Sequence, residues 1–305
     1  MITVVCLSPS LDQTIALSTL SVGGTNRALE SSTVPGGKGV NVALTLRRMG
    51  RRVKLIVYRH TQGAQTLFEA LDKAGDEAEA IPVPGELRVN LKLMDKSSGV
   101  VTEVNAAAPA VPDDAQLAME EAVAKASMES EWLILTGSLP RGCAPDAYAR
   151  MIARVKKQAP TCRIALDAEG EALSLGIQEK PDFVKPNRHE LELYAGEPLA
   201  TREAICEAAA GLVKDGVETV LVSMDKSGCV LAHGQTALFA GALDVSVATT
   251  VGAGDAMLSG YICACAQGRE EALRYAVAAA AARVAGQEGL EKDYLPQVQI
   301  ALIGG

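Results

Sequence analysis

The 305-residue sequence predicts an α/β fold: a doubly wound, mostly parallel sheet with helices on both faces and a small separate β-sheet. Short runs rich in β-branched residues alternate with longer periodic segments, as in repeated strand–helix–strand units. Several runs are continuously apolar, such as Trp132-Leu-Ile-Leu135, which is typical of parallel strands covered on both faces. Hydrophobic residues make up 48% of the chain, enough for a packed core.

The predicted core elements alternate along the chain, which favours one sheet with right-handed crossovers. Strands are predicted at 2–7, 53–58, 132–136, 163–167, 182–185, 218–223 and 228–232. Helices are predicted at 39–50, 64–74, 113–128, 145–158, 187–195, 201–215, 254–267 and 270–286.

Two segments, 12–34 and 87–106, do not follow this alternation and predict a small sheet. We therefore expect the α/β core to consist of 1–11, 35–86 and 107–305. Period-two alternation places Arg88, Asn90 and Lys92 on one face of a strand. Spacing alone favours a solvated edge strand, and a ligand-facing surface is the alternative.

Composition excludes several classes of function. The chain has 29 Lys+Arg against 37 Asp+Glu, a net charge of −8, and only 3% aromatic residues. Nucleic-acid binding surfaces need positive charge and stacking aromatics, so no nucleic-acid partner is expected. No apolar run approaches the roughly 20 residues of a membrane span. The first residues, 1–6, read as a strand and not a signal peptide, so we expect a cytoplasmic protein with no membrane partner.

The first of two glycine-rich motifs is Pro35-Gly-Gly-Lys-Gly-Val-Asn41, which directly precedes a predicted helix. Glycines let the backbone approach a ligand closely, and a helix amino terminus offers free N–H groups. The motif is not a Walker A loop, because Gly39 follows Lys38 where that loop has Ser or Thr. An ordinary strand-to-helix turn needs fewer glycines, so we favour a functional role.

The second motif, Thr249-Thr-Val-Gly-Ala-Gly-Asp255, also leads into a predicted helix. A carboxylate in the first turn of a helix stabilises that helix by about 0.3–1 kcal/mol, which is a sufficient structural reason for Asp255. Alternatively, the glycine amides form a pocket for a developing negative charge, with the carboxylate of Asp255 accepting a proton at its rim. The motif alone supports both interpretations about equally.

Together with Lys185-Pro-Asn187, Glu190 and Val222-Ser223, these motifs resemble the PfkB family of ribokinase-like carbohydrate kinases. The match runs in order along essentially the whole chain. Further stretches resemble the phosphosugar branch of that family, above all 1-phosphofructokinases and tagatose-6-phosphate kinases: Leu7-Ser-Pro-Ser-Leu-Asp12, Arg88-x-Asn90-x-Lys92, Thr136-Gly-Ser-Leu-Pro140 and Gly170-Glu-Ala-Leu173.

The resemblance implies an enzyme that transfers the γ-phosphoryl group of ATP, with Mg²⁺, to a ketohexose phosphate. The expected reaction converts fructose 1-phosphate to fructose 1,6-bisphosphate. A tagatose-6-phosphate kinase, a 6-phosphofructokinase, a kinase for an unphosphorylated sugar and a non-catalytic sugar sensor are the alternatives. A bound phosphate would explain the basic strand face, since phosphates favour charge-assisted contacts with Arg and Lys. The family's β-sheet covers the sugar site as a lid, and in this branch it implies a homodimer.

The resemblance also implies roles for individual residues. Asp255 would be the catalytic base, and an anion hole would be formed by Gly252, Ala253 and Gly254. The residues implied to hold the sugar phosphate are Asp12, Gly37, Lys38, Asn41, Arg88, Asn90, Lys92 and Ser138. Those implied to approach ATP are Lys185, Asn187, Ser223, Gly228 and Gly254, with Glu190 reaching Mg²⁺ through water.

The sequence departs from the family pattern at several places. Tyr58-Arg-His-Thr-Gln62 replaces a glycine-rich stretch, and Asn105-Ala-Ala-Ala-Pro109 replaces Asn-x-Pro-Gly. Asp225 stands where relatives have glycine before the ATP loop, and Asp167-Ala-Glu-Gly-Glu171 replaces Asp-Thr/Ser-Ser-Gly-Glu. These departures leave the glycine motifs intact and bear on substrate identity and rate.

Overall fold

The structure, a computed structural model, describes residues 1–75, 77–287, 289–290 and 292–304. The strands are β1 (Ile2–Cys6), β2 (Ser10–Leu17), β3 (Glu30–Gly36), β4 (Val53–Gln62), β5 (Glu77–Glu86), β6 (Val89–Asp95), β7 (Val101–Val104), β8 (Trp132–Thr136), β9 (Arg163–Asp167), β10 (Phe183–Val184), β11 (Thr219–Ser223), β12 (Cys229–His233), β13 (Thr236–Ala240) and β14 (Ile300–Gly304). The helices are α1 (Lys38–Arg48), α2 (Gln65–Lys73), α3 (Asp113–Ser127), α4 (Ala147–Gln158), α5 (Gly170–Gln178), α6 (Arg188–Ala195), α7 (Arg202–Lys214), α8 (Ala253–Ala264) and α9 (Arg269–Val284).

Most of the strands form one large, mostly parallel sheet in the order β14-β13-β12-β11-β10-β9-β8-β1-β4-β5. The strands from β11 to β5 pair in parallel, whereas β12, β13 and β14 pair antiparallel at one edge. Chain order runs outward from β1 in both directions, so the sheet is doubly wound. The predicted fold class is therefore confirmed.

The helices cover both faces of this sheet. Successive side chains of a strand point to opposite faces, so Val5 packs into one apolar cluster and Val4 into the other. The cluster with Val5 includes residues of α3, α4, α5 and α7. The cluster with Val4 includes residues of α1, α2, α8 and α9. The continuously apolar strands predicted from the sequence are thus buried on both sides.

A separate four-stranded sheet, hereafter the lid, has the order β3-β2-β6-β7. β2 pairs antiparallel with β3 and parallel with β6, and β7 pairs antiparallel with β6. The interpretation of β6 as a solvated edge strand is wrong, because β6 lies between β2 and β7 and Asn90 is buried. The face opposite Asn90 carries the exposed valines Val89 and Val104, whereas Val34, paired with Asp12, and Val101, paired with Met94, are exposed on the face of Asn90.

Some elements depart from the sequence prediction. β5 was not predicted because Pro82 and Pro84 interrupt it, yet it is an edge strand of the large sheet, where proline is tolerated. β13 and β14 extend the opposite edge, and α5 begins at the motif Gly170–Leu173. Among the described residues, no helix has both the length and the apolar character needed to span a membrane.

The pair α8 and α9 packs at unusually short range. At Gly260 in α8, an added Cβ would lie 2.4 Å from the Tyr275 carbonyl oxygen of α9. The facing side of α9 is rich in buried alanines, among them Ala278 and Ala282. Small side chains on both helices allow this approach, and it fixes α8, whose first turn carries the second glycine motif.

We expect Gly260→Ala to lower the free energy of unfolding by about 1–3 kcal/mol, the usual cost of overpacking. Gly211→Ala in α7 is the matched control, because no atom lies within 4 Å of an added Cβ there. That variant is expected to be neutral or stabilising by up to about 1 kcal/mol, since alanine is the better helix former. Urea unfolding of both variants measures the difference, and equal stabilities would contradict the close contact.

Candidate active site

Three neighbouring strands of the large sheet place polar side chains at their carboxyl ends. Asp167 ends β9, Lys185 follows β10, and Ser223 ends β11. The strands are parallel, so their carboxyl ends meet, which is where ligands bind in open α/β sheets. A cavity of about 750 Å³ opens at this edge. Its polar lining includes Lys38, Asn41, Asp167, Lys185, Asn187, Glu190, Ser223 and Asp255.

Asp255 lies in the first turn of α8 at the inner end of this cavity. Its side chain is only 5% exposed, and its Oδ2 accepts a 2.9 Å hydrogen bond from Asn41 Nδ2. Burial raises the pKa of Asp255 from 3.8 to about 6, and the nearby negative charge of Asp167 adds to the increase. A carboxylate with this pKa is ionised at neutral pH and still basic enough to take a proton.

The turn before Asp255 offers backbone N–H groups to the cavity. Gly252, with φ +81°, is the N-cap of α8, and Gly252, Ala253 and Gly254 all line the cavity. Within the described part of the chain, the amides of Gly252, Gly254 and Asp255 have no backbone acceptor. Unpaired amides at a helix amino terminus bind anions. The predicted glycine turn therefore has the geometry of an anion-binding site.

A buried carboxylate between two ammonium groups forms the charged centre of the site. Asp167 is 1% exposed, and its Oδ1 lies 3.4 Å from Lys185 Nζ and 3.5 Å from Lys38 Nζ. Burial opposes ionisation of Asp167, but the two positive charges outweigh it and hold its pKa below the ordinary value. The charge of Asp167 in turn raises the pKa of Lys38, despite burial. Lys38 is therefore charged at neutral pH.

Sequence reasoning did not select Asp167 as a site residue. It stood only in a stretch noted as a departure from the family pattern, and its partners Lys38 and Lys185 are far away in sequence. The available signal was positional: Asp167 is a charged residue at the carboxyl end of a buried strand, on the edge where Lys185 was already expected.

Asn187 and Glu190 form a capping box at the start of α6. The Glu190 amide donates to Asn187 Oδ1 at 2.8 Å, and Glu190 Oε2 accepts from the Asn187 amide at 2.7 Å. The spacing Asn-x-x-Glu thus has a structural reason independent of any ligand. Glu190 nevertheless lines the cavity, with its second carboxylate oxygen outside the capping box.

The outer half of the cavity is partly apolar. Ser223 is held in line with Asn187 by an isolated bridge, and Gly228 follows the short turn after β11. Val245, Val247 and residues of α9 continue this wall: Val277, Ala280, Ala281 and Val284. Asp225 also lines it, with φ +49°, a left-handed conformation that Asp tolerates better than most residues. All five residues expected to approach ATP therefore border one cavity.

The first glycine motif connects this cavity to the lid. β3 ends at Gly36, and Gly37, with φ +100°, is the N-cap of α1. A Cβ on Gly36 would lie 2.3 Å from Asp12 Oδ1, so a larger residue here would displace that carboxylate. Ser138 is half-buried just beyond β8, on the same edge of the sheet.

The polar face of the lid forms a hydrogen-bonded network around Asp12. Asp12 Oδ1 accepts from Ser10 Oγ and Asn90 Nδ2, both at 3.0 Å, and Oδ2 accepts from Lys92 Nζ at 2.9 Å. Asp12, Arg88, Asn90 and Lys92 are thus brought together, but they lie outside the lining of the cavity described above. The structure places the two expected ligand sites next to each other, with Gly37 and Lys38 between them.

Arg88 is turned toward the backbone at the base of the lid. Its guanidinium donates to the carbonyl oxygens of Ser8, Pro9 and Ala106 at 2.9, 3.3 and 3.3 Å. The Ala106 amide donates to Asn90 Oδ1 at 3.2 Å. In the stretch 105–109, the two hydrogen bonds to Arg88 and Asn90 are made by the backbone of Ala106. They therefore do not depend on which side chain stands at that position.

The departure at 58–62 is the last part of β4, which runs four residues beyond its predicted end. Tyr58 is fully buried in the core, and His60 is 5% exposed. Burial lowers the pKa of His60, so that the ring is neutral at physiological pH. The stretch is therefore a longer strand and does not form a flexible glycine-rich turn.

The sequence of the chain matches known carbohydrate kinases. The model of the pfkB family carbohydrate kinases matches residues 3–293. The 1-phosphofructokinase of Rhodobacter capsulatus is 36% identical over 265 residues, 86% of this chain and 82% of that protein. The 1-phosphofructokinase of Bacillus subtilis is 30% identical over 306 residues, 98% of this chain and 99% of that protein.

Solved structures agree with these matches. The phosphofructokinase-2 of Escherichia coli in complex with fructose-6-phosphate superposes with a TM-score of 0.89 at 26% identity, covering 97% of both chains. The same enzyme in complex with potassium gives a TM-score of 0.90 over the same coverage. A possible 1-phosphofructokinase from Thermotoga maritima shares the fold, with a TM-score of 0.87 at 20% identity over 99% of both chains. The expected ribokinase-like fold is confirmed, and the chain belongs to the PfkB family of carbohydrate kinases, phosphotransferases that act on an alcohol group.

Proposed function

We propose that this chain is an ATP-dependent kinase for a ketohexose phosphate, with fructose 1-phosphate as acceptor and fructose 1,6-bisphosphate as product. The observation that carries the proposal is a buried carboxylate with a raised pKa, Asp255, beside unpaired amides and next to a basic lid face. The curated relatives named 1-phosphofructokinase support the choice of fructose 1-phosphate.

In the proposed reaction, Asp255 accepts the proton of an acceptor hydroxyl as that oxygen forms a bond to the γ-phosphorus. The bond between the γ-phosphorus and the β–γ bridging oxygen breaks, and ADP leaves with its electron pair. The amides of Gly252 and Gly254 stabilise the charge on the transferred group. Lys38 and Lys185 add positive charge on the same side. Phosphoryl transfer needs positioning and charge stabilisation more than covalent catalysis, and these groups supply both.

The residues present also fit Mg²⁺ bound together with ATP. Within the described residues, buried Asp167 Oδ1 has no hydrogen-bond partner and lies near the ammonium groups of Lys38 and Lys185, and Glu190 has one carboxylate oxygen outside its capping box. Among the described residues, no cluster of three or more His, Cys, Asp or Glu side chains could hold a metal alone. One or two carboxylates with substrate phosphates is the usual ligand set of Mg²⁺, which would neutralise the phosphate oxygens when bound.

The proposed acceptor site lies between the glycine motif at 35–41 and the lid. Asp12 and Asn41 offer hydrogen-bond acceptors or donors to sugar hydroxyls, and Arg88 and Lys92 supply positive charge for a phosphate. Arg88 and Lys92 currently bond to backbone carbonyls and to Asp12, respectively, and a phosphate would compete for these donors. A phosphate is the stronger partner for a guanidinium than a neutral carbonyl.

The decisive experiment measures ADP release with fructose 1-phosphate, tagatose 6-phosphate, fructose 6-phosphate and fructose. The highest kcat/KM is expected with fructose 1-phosphate. Arg88→Ala is expected to raise the KM for the preferred sugar phosphate by about 10- to 100-fold, the equivalent of losing a charge-assisted hydrogen bond. The KM for ATP should stay within about twofold.

Lys96→Ala is the control for that variant, because exposed Lys96 pairs with Glu30 elsewhere on the lid. An unchanged KM in Arg88→Ala would remove Arg88 from the phosphate site. A preference for fructose would favour an unphosphorylated acceptor. No ADP with any sugar, together with measurable sugar or ATP binding, would favour a sensor.

Asp255→Asn is expected to lower kcat by about 10²–10⁴-fold, the range for loss of a general base. The wild-type kcat/KM should fall about tenfold per pH unit below pH 6, because the base form of Asp255 is lost as pH drops through its raised pKa of about 6. Asp244→Asn is the matched control: exposed Asp244 lines the same cavity near its apolar wall.

The Asp255→Asn variant should remain folded. A raised carboxylate pKa means that ionisation costs stability above pH 6, so the variant's Tm at pH 8 is expected to equal or exceed that of the wild type. Full activity in a folded Asp255→Asn variant would rule out the proposed base.

We also propose a homodimer formed through the lid, because the face of the lid opposite Asp12 exposes Val89 and Val104 on the neighbouring strands β6 and β7. Contiguous exposed apolar residues of this kind mark interaction surfaces. Val104→Lys is expected to shift the sedimentation coefficient from that of a dimer to that of a 31.8 kDa monomer. Leu117→Lys on α3, which is also exposed, is the control. A monomeric wild type would refute the dimer.

A further inference from the structure

Arg283 lies in the last turn of α9, next to the glycine turn that precedes Asp255. Its Nε donates a 2.9 Å hydrogen bond to the carbonyl oxygen of Val251. Its guanidinium also lies against Gly252: an added Cβ there would lie 3.1 Å from Nε and 3.8 Å from Cζ. Sequence reasoning did not select this residue, because nothing in the alanine-rich segment around it marks a site.

The segment leading to the glycine turn is fastened to the same end of α9. The amides of Ala248 and Thr249 both donate to the Val284 carbonyl oxygen, at 2.8 and 3.2 Å. Arg283 and Val284 thus hold the chain before the turn at three points. The bond from Arg283 is the one of these made by a side chain, and it reaches furthest toward Gly252.

The hydrogen bond accepted by the Val251 carbonyl determines where helix α8 begins. In a regular α-helix, the Asp255 amide would donate to the carbonyl four residues earlier, which is that of Val251. In this structure, the Val251 oxygen accepts from Arg283, and within the described residues the Asp255 amide has no backbone acceptor. The helical turn therefore starts one residue later, with the Ala256 amide donating to Gly252 at 2.9 Å.

We propose that Arg283 is a positioning residue for phosphoryl transfer. By holding the Val251 carbonyl, it keeps the turn from winding into a further helical hydrogen bond and leaves the amides of Gly254 and Asp255 open to the transferred group. The inference rests on the proposed role of this turn as the anion hole. Arg283 itself does not line the cavity and is not assigned a contact with the substrate.

A purely structural role is the alternative interpretation, because basic residues in the last turn of a helix stabilise it through the helix dipole. Arg274 on the same helix provides a direct comparison. Its Nη1 donates to the Val298 carbonyl at 2.5 Å, and it does not line the cavity. Both arginines anchor a backbone carbonyl to α9, but only Arg283 anchors one next to the glycine turn.

The experiment compares Arg283→Met, Arg283→Lys and Arg274→Met in the full chain. Arg283→Met is expected to lower kcat by about 10- to 100-fold, somewhat less than the 10²–10³-fold that follows from deleting an oxyanion-hole donor outright. The KM for the sugar phosphate should stay within about twofold, because the lid is unchanged. Arg283→Lys should restore at least part of kcat, and Arg274→Met should keep wild-type kcat.

A second measurement separates positioning from stability. ADP binding with Mg²⁺ and sugar phosphate is titrated with and without aluminium fluoride, a planar analogue of the transferred phosphoryl group. Wild type and Arg274→Met should bind ADP more tightly with the analogue, and Arg283→Met should lose most of that gain while keeping its affinity for ADP alone.

Wild-type kcat in a folded Arg283→Met variant, or an undiminished gain from the analogue, would overturn the inference. So would a loss of kcat equal to that in Arg274→Met. Failure of the proposed base is distinguishable from these outcomes, because it would show as full activity in Asp255→Asn, independently of Arg283.

Discussion

The site depends on the charge balance around one buried carboxylate. Asp167 at the end of β9 draws Lys38 from the start of α1 and Lys185 from the end of β10 to the same point. Without this anion, the two neighbouring cations would repel each other. Asp167 offsets this repulsion, both lysines line the cavity, and the amino end of α1 is fixed at the carboxyl ends of the parallel strands. The positions of Asn41 and, through it, Asp255 follow from that constraint.

The surroundings of Asp255 shift its pKa in the opposite direction, upward. It lies near the same negative Asp167, is also buried, and accepts one hydrogen bond from the neutral side chain of Asn41 in place of a close ion pair. Two carboxylates in one site thus have pKa values displaced in opposite directions, one as a permanent anion and one as a group able to accept a proton. Separating the roles of two acids by their surroundings is a general way to obtain a base near neutral pH.

The core strands and most helices could be predicted because apolar runs and helical periodicity are local signals. β5 escaped prediction since its prolines are compatible only with an edge position, which depends on the rest of the sheet. The glycine motifs located the site, but Asp167 and Arg283 act through partners far away in the chain, and a single sequence carries no record of such pairing. The capping box of Asn187 and Glu190, by contrast, is a local pattern readable from spacing alone. The position of β6 inside the lid could not be predicted from its own residues, because it depends on the pairing of β7 with β6.

Only Gly37 separates the last residue of β3 from the first residue of α1. Strand β3 of the lid and helix α1, which carries Lys38 and Asn41, are therefore almost continuous along the chain. A change in the orientation of β3 must therefore either rotate the backbone torsions of Gly37 or move the side-chain amide of Asn41 relative to the Asp255 carboxylate. In the proposed reaction, sugar binding at the lid would thus be linked to proton transfer at Asp255 through Gly37.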